Sequence, residues 1–175
     1  MGGEPFEAVM SAHHAEIYRY LRRVTFRSAE AEDLSQETFL RAFRAYRELP
    51  PDANVRAWLF AIATNLFRNS LRAAKRRRAA HDIVKGRGRE HDGDGPEGAA
   101  RFNEARAAVE AVIDGLPAKQ RAAFVMRKVH ELPYETIAKS LDCSVDSARA
   151  HVFQAFRKIR TSLDDAQLPP AEGSA

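Results

Sequence analysis

Apolar residues recur along most of this chain at three- and four-residue steps, the spacing of a helix with one buried face. Over residues 6–23 they fall at Phe6, Val9, Met10, Ile17, Tyr18 and Leu21. A second helix is expected over residues 28–46, burying Leu34, Phe39, Leu40 and Phe43. Ser28 is placed to cap it, and Glu30, Glu32 and Asp33 sit where the helix dipole favours acids. The Leu49-Pro50-Pro51-Asp52-Ala53-Asn54 run breaks the pattern and reads as a loop. A third helix follows over residues 55–76, with Val55, Trp58, Leu59, Ile62, Leu66 and Leu71 on its apolar face.

Periodicity disappears between residues 79 and 101, where Gly86, Gly88, Gly93, Gly95, Pro96 and Gly98 alternate with charges, the composition of a flexible linker. Beyond it a helix is expected over residues 102–114, with Ala108, Val109, Val112 and Ile113 inward. Gly115 stops that helix, and Pro117 opens the next, which presents Phe124, Val125 and Val129. Pro133 restarts the chain into a short helix carrying Tyr134, Ile137, Ala138 and Leu141. Asp142-Cys143-Ser144 then makes a tight turn into a last helix with Val145, Ala148, Val152, Ala155, Ile159 and Leu163. The expected fold is all-α, two small helical domains at residues 1–78 and 102–165 with a linker at 79–101 and a frayed tail at 166–175.

Composition supports this and adds a direction. Of 175 residues, 45% are hydrophobic, enough for a buried core. The net charge of +4 is mild, but cations cluster in Arg72-Ala73-Ala74-Lys75-Arg76-Arg77-Arg78, a block suited to phosphates. A single cysteine, Cys143, excludes an intramolecular disulfide. No basic-then-apolar leader and no membrane-length apolar run is visible, so a soluble cytoplasmic protein is expected.

Residues 134–160 read as a helix-turn-helix. Ala138 is small where two helices cross, and Ser144 can cap the second helix. The outer face of that helix offers Asp146, Ser147, Arg149, His151 and Arg157. Ser147 and Arg149 lie near its start, where base edges are reached, and Arg157, Lys158 and Arg160 near its end, where phosphates are met. Such a motif does not by itself separate one class of transcription factor from another.

The first domain supplies the distinction. Ala31-Glu32-Asp33-Leu34-Ser35-Gln36-Glu37-Thr38-Phe39-Leu40-Arg41-Ala42-Phe43 resembles region 2.2 of extracytoplasmic-function RNA polymerase sigma factors, and residues 55–66 (Val-Arg-Ala-Trp-Leu-Phe-Ala-Ile-Ala-Thr-Asn-Leu) resemble their region 2.3–2.4 helix. Leu116-Pro117-Ala118-Lys119-Gln120-Arg121 and Tyr134-Glu135-Thr136-Ile137-Ala138 resemble region 4. The resemblance implies a promoter-recognition subunit of core RNA polymerase. Asp33, Gln36, Glu37, Phe39, Leu40 and Arg41 would dock on the β′ coiled coil, mixing charge, amide and apolar area as a protein partner requires. Asn54, Arg56, Asn65, Arg68, Asn69, Arg72, Lys75 and Arg76 would face the −10 element. Ser144, Asp146, Ser147, Arg149, His151, Arg157 and Lys158 would read the −35 element, with the second domain near the β flap. A cognate anti-sigma factor is implied as well. Trp58 has the spacing of a core residue, while the family places the neighbouring loop, residues 47–54, against a flipped base. The chain departs from the family in the recognition helix, with Asp146-Ser147-Ala148 for Gly-Thr-Val, Ala150-His151 for Ser-Arg, and Gln154 and Phe156 for arginines. The family's −35 preference is therefore not carried over.

Two other classes compete. A stand-alone helix-turn-helix repressor or activator would bind a duplex operator as a symmetric dimer and would need neither the Asp33–Phe43 surface nor the polar face of the third helix. An enzyme would need a phosphate loop, a nucleophile elbow or a metal motif, and none is visible. The six histidines, including adjacent His13 and His14 and the linker's His81 and His91, read as isolated surface residues, so no cofactor or metal is expected.

Overall fold

The computed structural model describes residues 5–81 and 100–167, and the side chains of residues 5–80 and 107–164. The described residues form α1 (Phe6–Thr25), α2 (Ser28–Ala45), a 3-10 turn (Tyr46–Glu48), α3 (Val55–His81), α4 (Ala100–Asp114), α5 (Ala118–Lys128), α6 (Tyr134–Leu141) and α7 (Val145–Gln167), without a strand among them. The all-α expectation holds. Most of the expected linker lies outside the described residues; at its ends α3 continues to His81 and α4 already begins at Ala100.

In the first lobe, α1 buries Val9, Ile17, Tyr20, Leu21 and Val24. It ends on Phe26, a left-handed residue at φ 59° whose N–H reaches the Arg22 carbonyl at 3.1 Å. The Thr25 hydroxyl donates to the Leu21 carbonyl at 2.8 Å and accepts the Arg27 N–H at 3.3 Å, fixing the two-residue link that folds α2 back onto α1. Ser28 does not cap α2: the N-cap is Arg27, without a side-chain bond, so the first turn relies on Glu30 and the dipole. The buried face of α2 is Ala31, Ser35, Thr38, Phe39 and Ala42. Small residues there let α1 and α2 approach closely, and the Thr38 hydroxyl satisfies itself on the Leu34 carbonyl at 2.6 Å.

The long helix α3 lies at the centre, packed against α1 and α2 on one side and α5 and α6 on the other. Its deepest residues are Leu59, Phe60, Ala63, Thr64 and Phe67, while Val55, Trp58, Ile62 and Leu71 pack at the margin of the core. This is wider than the single apolar stripe expected, because two sets of helices bury it. Each fully buried large side chain such as Phe60 or Phe67 contributes about 1.5–3 kcal/mol. The buried Tyr20 hydroxyl is paired with Thr64 Oγ1 at 2.7 Å, and burial pushes its phenol above the ordinary value.

In the second lobe, α5 and α6 pack on α7. Ala122, Ala123, Val125, Met126, Leu132, Ile137, Leu141, Ala148 and Val152 are buried there. Asp142 adopts the left-handed conformation at φ 49°, and the Cys143 N–H bonds the Ala138 carbonyl at 3.0 Å, closing α6. Ser144 caps α7, accepting the Ser147 N–H at 3.1 Å. Ser144→Ala is expected to cost about 1 kcal/mol, readable as a lower midpoint in urea; an unchanged midpoint would remove the cap from the account.

Several positions differ from the expected faces. Met10 and Val129 are exposed rather than inward, as is Ala108. Met10 rides the outer flank of α1. Val129 follows the end of α5, where Leu132, returning through its N–H to the Met126 carbonyl at 3.0 Å, takes the buried place. Leu40 and Phe43, expected inward, are exposed, and Phe39, expected both inward and on the docking surface, is buried, as described below. The two lobes also share one contiguous buried cluster, which a division by a flexible linker does not anticipate.

Candidate nucleic-acid and polymerase surfaces

Three exposed faces with different chemistry lie on this frame. On α2, Asp33, Gln36, Leu40 and Arg41 are exposed, and Glu37 is half-buried with its carboxylate accepting Arg41 Nε at 2.6 Å. Steps of three and four residues put Asp33, Gln36, Glu37 and Leu40 on one side of the helix. Phe39, expected on this surface, is instead buried at 5% exposure, one ring against His14 at 5.4 Å. Leu40 at 45% and Phe43 at 59% provide the apolar area. The cause is angular: with Ala31, Ser35, Thr38 and Ala42 facing α1 and α3, Phe39 falls inside the helix contact and Phe43 at its rim. Phe43 meets Phe6 edge-on at 5.5 Å, and Phe6 meets Tyr46 at 5.4 Å. These three rings, with Pro50 and Pro51, line a groove of about 730 Å³ beside the loop of residues 47–54.

The second face belongs to α3. Asn65, Asn69, Arg72, Lys75 and Arg76 are exposed and Arg68 is half-buried. They project away from Phe60, Ala63 and Phe67, so amides and guanidiniums form one stripe leading into the basic end of the helix. Two residues grouped with them by sequence are engaged elsewhere. Asn54 Oδ1 accepts the Ala57 N–H at 2.9 Å and caps the start of α3. Arg56 donates through Nε to Glu16 at 3.1 Å, and through Nη2 to Glu16 and to the His130 carbonyl. Burial pushes the Glu16 carboxyl up, but the bond and charge of Arg56, joined by His130 and His13, together hold it below its ordinary range.

The third face is the outer side of α7. Ser144, Asp146, Arg149, Arg157 and Lys158 are exposed and Ser147 is partly so. Arg149 is braced at 3.2 Å by Asp146 and lies over the Tyr134 ring at 5.4 Å, an arrangement that limits its rotamers before any ligand arrives. Lys158 Nζ donates to Gln120 at 3.1 Å, and Gln120 donates to Gln154 at 2.7 Å, tying the far end of the face to α5. His151 stands apart: it is half-buried, its Nδ1 has no partner, and burial with Lys119 nearby lowers its pKa, so at neutral pH it offers no charge to a phosphate.

Sequence reading missed two kinds of residue. Phe153 and Phe156 are 61% and 46% exposed, with Lys128 over the Phe156 ring at 5.7 Å. Their phase relative to Val145, Ala148, Val152, Ala155 and Ile159 would have placed them outward. Arg121 and His130 are buried between the lobes, and no periodicity signals that. Among the described residues no group of His, Cys, Asp and Glu is placed to hold a metal, and no helix is long and apolar enough to cross a membrane.

Residues 9–77 match the family described as Sigma-70 region 2, and residues 106–159 match Sigma-70, region 4. The chain is 30% identical over 171 residues to the RNA polymerase sigma-H factor of Pseudomonas aeruginosa, covering 94% of this chain and 86% of that one. It is 32% identical over 149 residues to the ECF RNA polymerase sigma-E factor of Escherichia coli, covering 81% of this chain and 76% of that one. Its fold is similar to that of the sigma factor RpoE from Bartonella quintana, solved with the anti-sigma factor NepR, at TM-score 0.71 and 21% identity over 91% of this chain and 96% of that one. It is similar also to CnrH, solved with the cytosolic domain of CnrY, at TM-score 0.67 and 23% identity over 93% and 89%. With regions 2 and 4 in order on one chain, and relatives matched over 76–86% of their own length, this protein belongs to the extracytoplasmic-function group of sigma-70 factors.

Proposed function

We propose that the chain binds core RNA polymerase in the cytoplasm and directs promoter-specific initiation, reading the −10 and −35 elements and helping to open the DNA. It acts as a binding subunit, not as an enzyme. The observation that carries this reading is the presence, on one frame, of a mixed acidic and apolar face on α2 beside an amide and guanidinium stripe on α3. A stand-alone repressor has no use for that pair. Acids at Asp33 and Glu37 repel phosphates, so the α2 face suits a protein, the β′ coiled coil, while the α3 stripe suits DNA.

The stripe holds the −10 region through Asn65, Arg68, Asn69 and Arg72, with Lys75 and Arg76 on phosphates. Flipping a base costs a few kcal/mol, and a pocket that rewards the single strand must offset it. The groove beside residues 47–54 offers Phe6, Phe43 and Tyr46 for stacking. In the second lobe, α7 enters the major groove at the −35 element. There Ser147 and Arg149 meet base edges, and the exposed Phe153 adds apolar surface of the kind that packs on a thymine methyl. A cognate anti-sigma factor would cover the apolar ends of both faces, Leu40 and Phe43 on one lobe and Phe153 and Phe156 on the other.

Arg149→Ala is expected to lower −35-dependent transcription by about 1–3 kcal/mol, roughly five- to 150-fold. Promoters with an altered −35 element should lose less, and an unchanged promoter preference would remove Arg149 from the reading set. The experiment that tests the whole reading is permanganate footprinting of a cognate promoter. Thymines near −10 should become reactive only with core polymerase and this protein together; equal reactivity with core alone would overturn the assignment.

A further inference from the structure

The lobes are joined by more than apolar contact, and the polar groups between them are specific. The loop between α5 and α6 carries Glu131 in the left-handed region at φ 52° and projects His130 into the first lobe. The side chain of His130 is only 5% exposed. Its ring packs edge-on to Phe60 at 5.5 Å and to Tyr20 at 6.0 Å. Its Nδ1 lies 3.6 Å from a Glu16 carboxylate oxygen, and Arg56 reaches its carbonyl at 3.3 Å. Nearby, Arg121 Nη1 donates to the Val24 carbonyl at 2.8 Å and Ser140 Oγ to the Ala57 carbonyl at 3.1 Å, both across the same divide. The interface is incompletely satisfied: His130 Nε2 and Arg121 Nε are buried without a partner. Each orphaned buried polar atom costs about 1–3 kcal/mol, which subtracts from what the contact between the lobes contributes.

The distances of the proposed function require release. The centres of the −10 and −35 elements are about 25 base pairs apart, or about 85 Å along B-form DNA at about 3.4 Å per pair. A compact chain of this length has a radius of gyration of about 16 Å, so two lobes packed together cannot cover both elements. The chain between His81 and Ala100 can span at most about 65 Å, which allows the lobes to part while still linked. Asp33, Gln36 and Leu40 on α2, Asn65, Asn69 and Arg72 on α3, and Arg149 and Arg157 on α7 are exposed while the lobes are packed together, so what closure prevents is separation.

We infer that the free sigma factor is held shut by His130, seated in a socket of Glu16, Tyr20, Phe60 and Arg56 on the first lobe, and that simultaneous engagement of both promoter elements requires this seat to be vacated. The inference rests on the proposed function for its consequence, but not for the closed state itself. Arg56 contributes to the seat through its bond to the His130 carbonyl, whereas its ion pair with Glu16 lies wholly within the first lobe and persists on opening.

The seat is sensitive to acid. Burial lowers the pKa of His130, and Arg19 on α1 and Arg56 on α3 add to the effect; Glu16, itself within 3.9 Å of His13, opposes them without overcoming it. Closed chains therefore hold neutral His130, whereas in open chains the exposed imidazole titrates near its ordinary value of about 6.5. Closure is fully favoured above that value. As the pH falls below it, the open state gains a proton that the closed state resists, so opening increases.

Small-angle X-ray scattering on the full chain tests this, with His130→Ala and His130→Gln alongside. The parent should be compact at pH 7.5 and shift toward an extended population at pH 5.5, with the open-to-closed ratio rising up to about tenfold. His130→Ala should be extended at both values, and His130→Gln, which fills part of the socket but cannot titrate, should lose the pH step. Because the ring of His130 meets Tyr20, Phe60 and Glu16 of the first lobe, helicity and the cooperative unfolding of each lobe should be retained. A parent extended at pH 7.5, or a His130→Ala chain as compact as the parent, overturns the inference. Transcription with core polymerase, run on the same samples, separates the two readings: an extended His130→Ala chain that supports no initiation, beside a parent that supports none, sinks the proposed function and leaves the latch standing.

Discussion

Replacing Asp33 by arginine and Gln36 by alanine together is expected to destroy competition with the parent for core polymerase while leaving the fold intact. Both side chains are exposed on α2 and touch nothing in the buried face of Ala31, Ser35, Thr38, Phe39 and Ala42, so circular dichroism and thermal midpoint should be close to the parent's. The effect on binding is large for two reasons. Reversing a charge in an interface sets like against like, and removing the amide strips a neutral donor from the same patch. A contact of this kind costs about 2–5 kcal/mol, a loss of about thirtyfold or more in affinity. A folded variant that competes as well as the parent would show that the docking surface lies elsewhere, with the Leu40 and Phe43 rim as the first alternative.

The second large effect is structural. Arg121→Met is expected to cost about 2–5 kcal/mol, because it strands several partners at once. The Arg121 guanidinium is almost fully buried. It donates to the Val24 carbonyl at 2.8 Å and to the Asp114 carbonyl, pairs with the Asp114 carboxylate at 3.0 Å, and lies over the Phe67 ring at 5.4 Å. It thus ties the end of α4 to the end of α1 and to the centre of α3. Burial lowers its pKa, and the Asp114 carboxylate opposes this without overcoming it. Arg121→Lys should fail nearly as badly, since one ammonium cannot bridge the Val24 carbonyl and Asp114 with the geometry of a fork. The thermal midpoint of either variant should fall by roughly 5–15 °C. A drop confined to the methionine variant would mean that charge alone, and not the bidentate geometry, holds the site.

How much of this was legible in the sequence follows from what each signal measures. Helical periodicity located all seven helices of the described residues, since a buried face recurs every three or four residues whatever packs against it. It also put Ala138, Ser144 and Ala148 in their places in the helix-turn-helix, because a tight crossing and a capped turn restrict residue type locally. It failed where the partner decides the angle. Phe39 and Phe43 are one turn apart on α2, and either serves as core until α1 and α3 are in position. Val129 lost its buried place to Leu132 through a returning loop. Ser28 failed as a cap because Thr25 and Phe26 had already set the backbone entering α2.

The candidate surfaces were legible in outline for a similar reason. Asn65, Arg68, Asn69 and Arg72 share a face by spacing alone, and that face is open. Asn54 and Arg56 were not separable from them, since a capping bond and an ion pair to Glu16, forty residues away in the chain, are tertiary facts. The largest omission was the interface between lobes. A glycine-rich stretch at residues 79–101 reads as separation, and nothing in a linker reports what its two ends do to each other. His130 and Arg121 look like surface residues by type, and their burial depends on carbonyls and rings supplied by the other lobe.

The most direct test of the central claim is run-off transcription with purified bacterial core polymerase on a promoter library, with and without this protein. The account predicts specific initiation that depends on the added chain, from sites sharing −10 and −35 motifs at a fixed spacing. No gain in initiation, together with a shift of a palindromic duplex by the protein alone, would contradict it and leave a stand-alone repressor in its place.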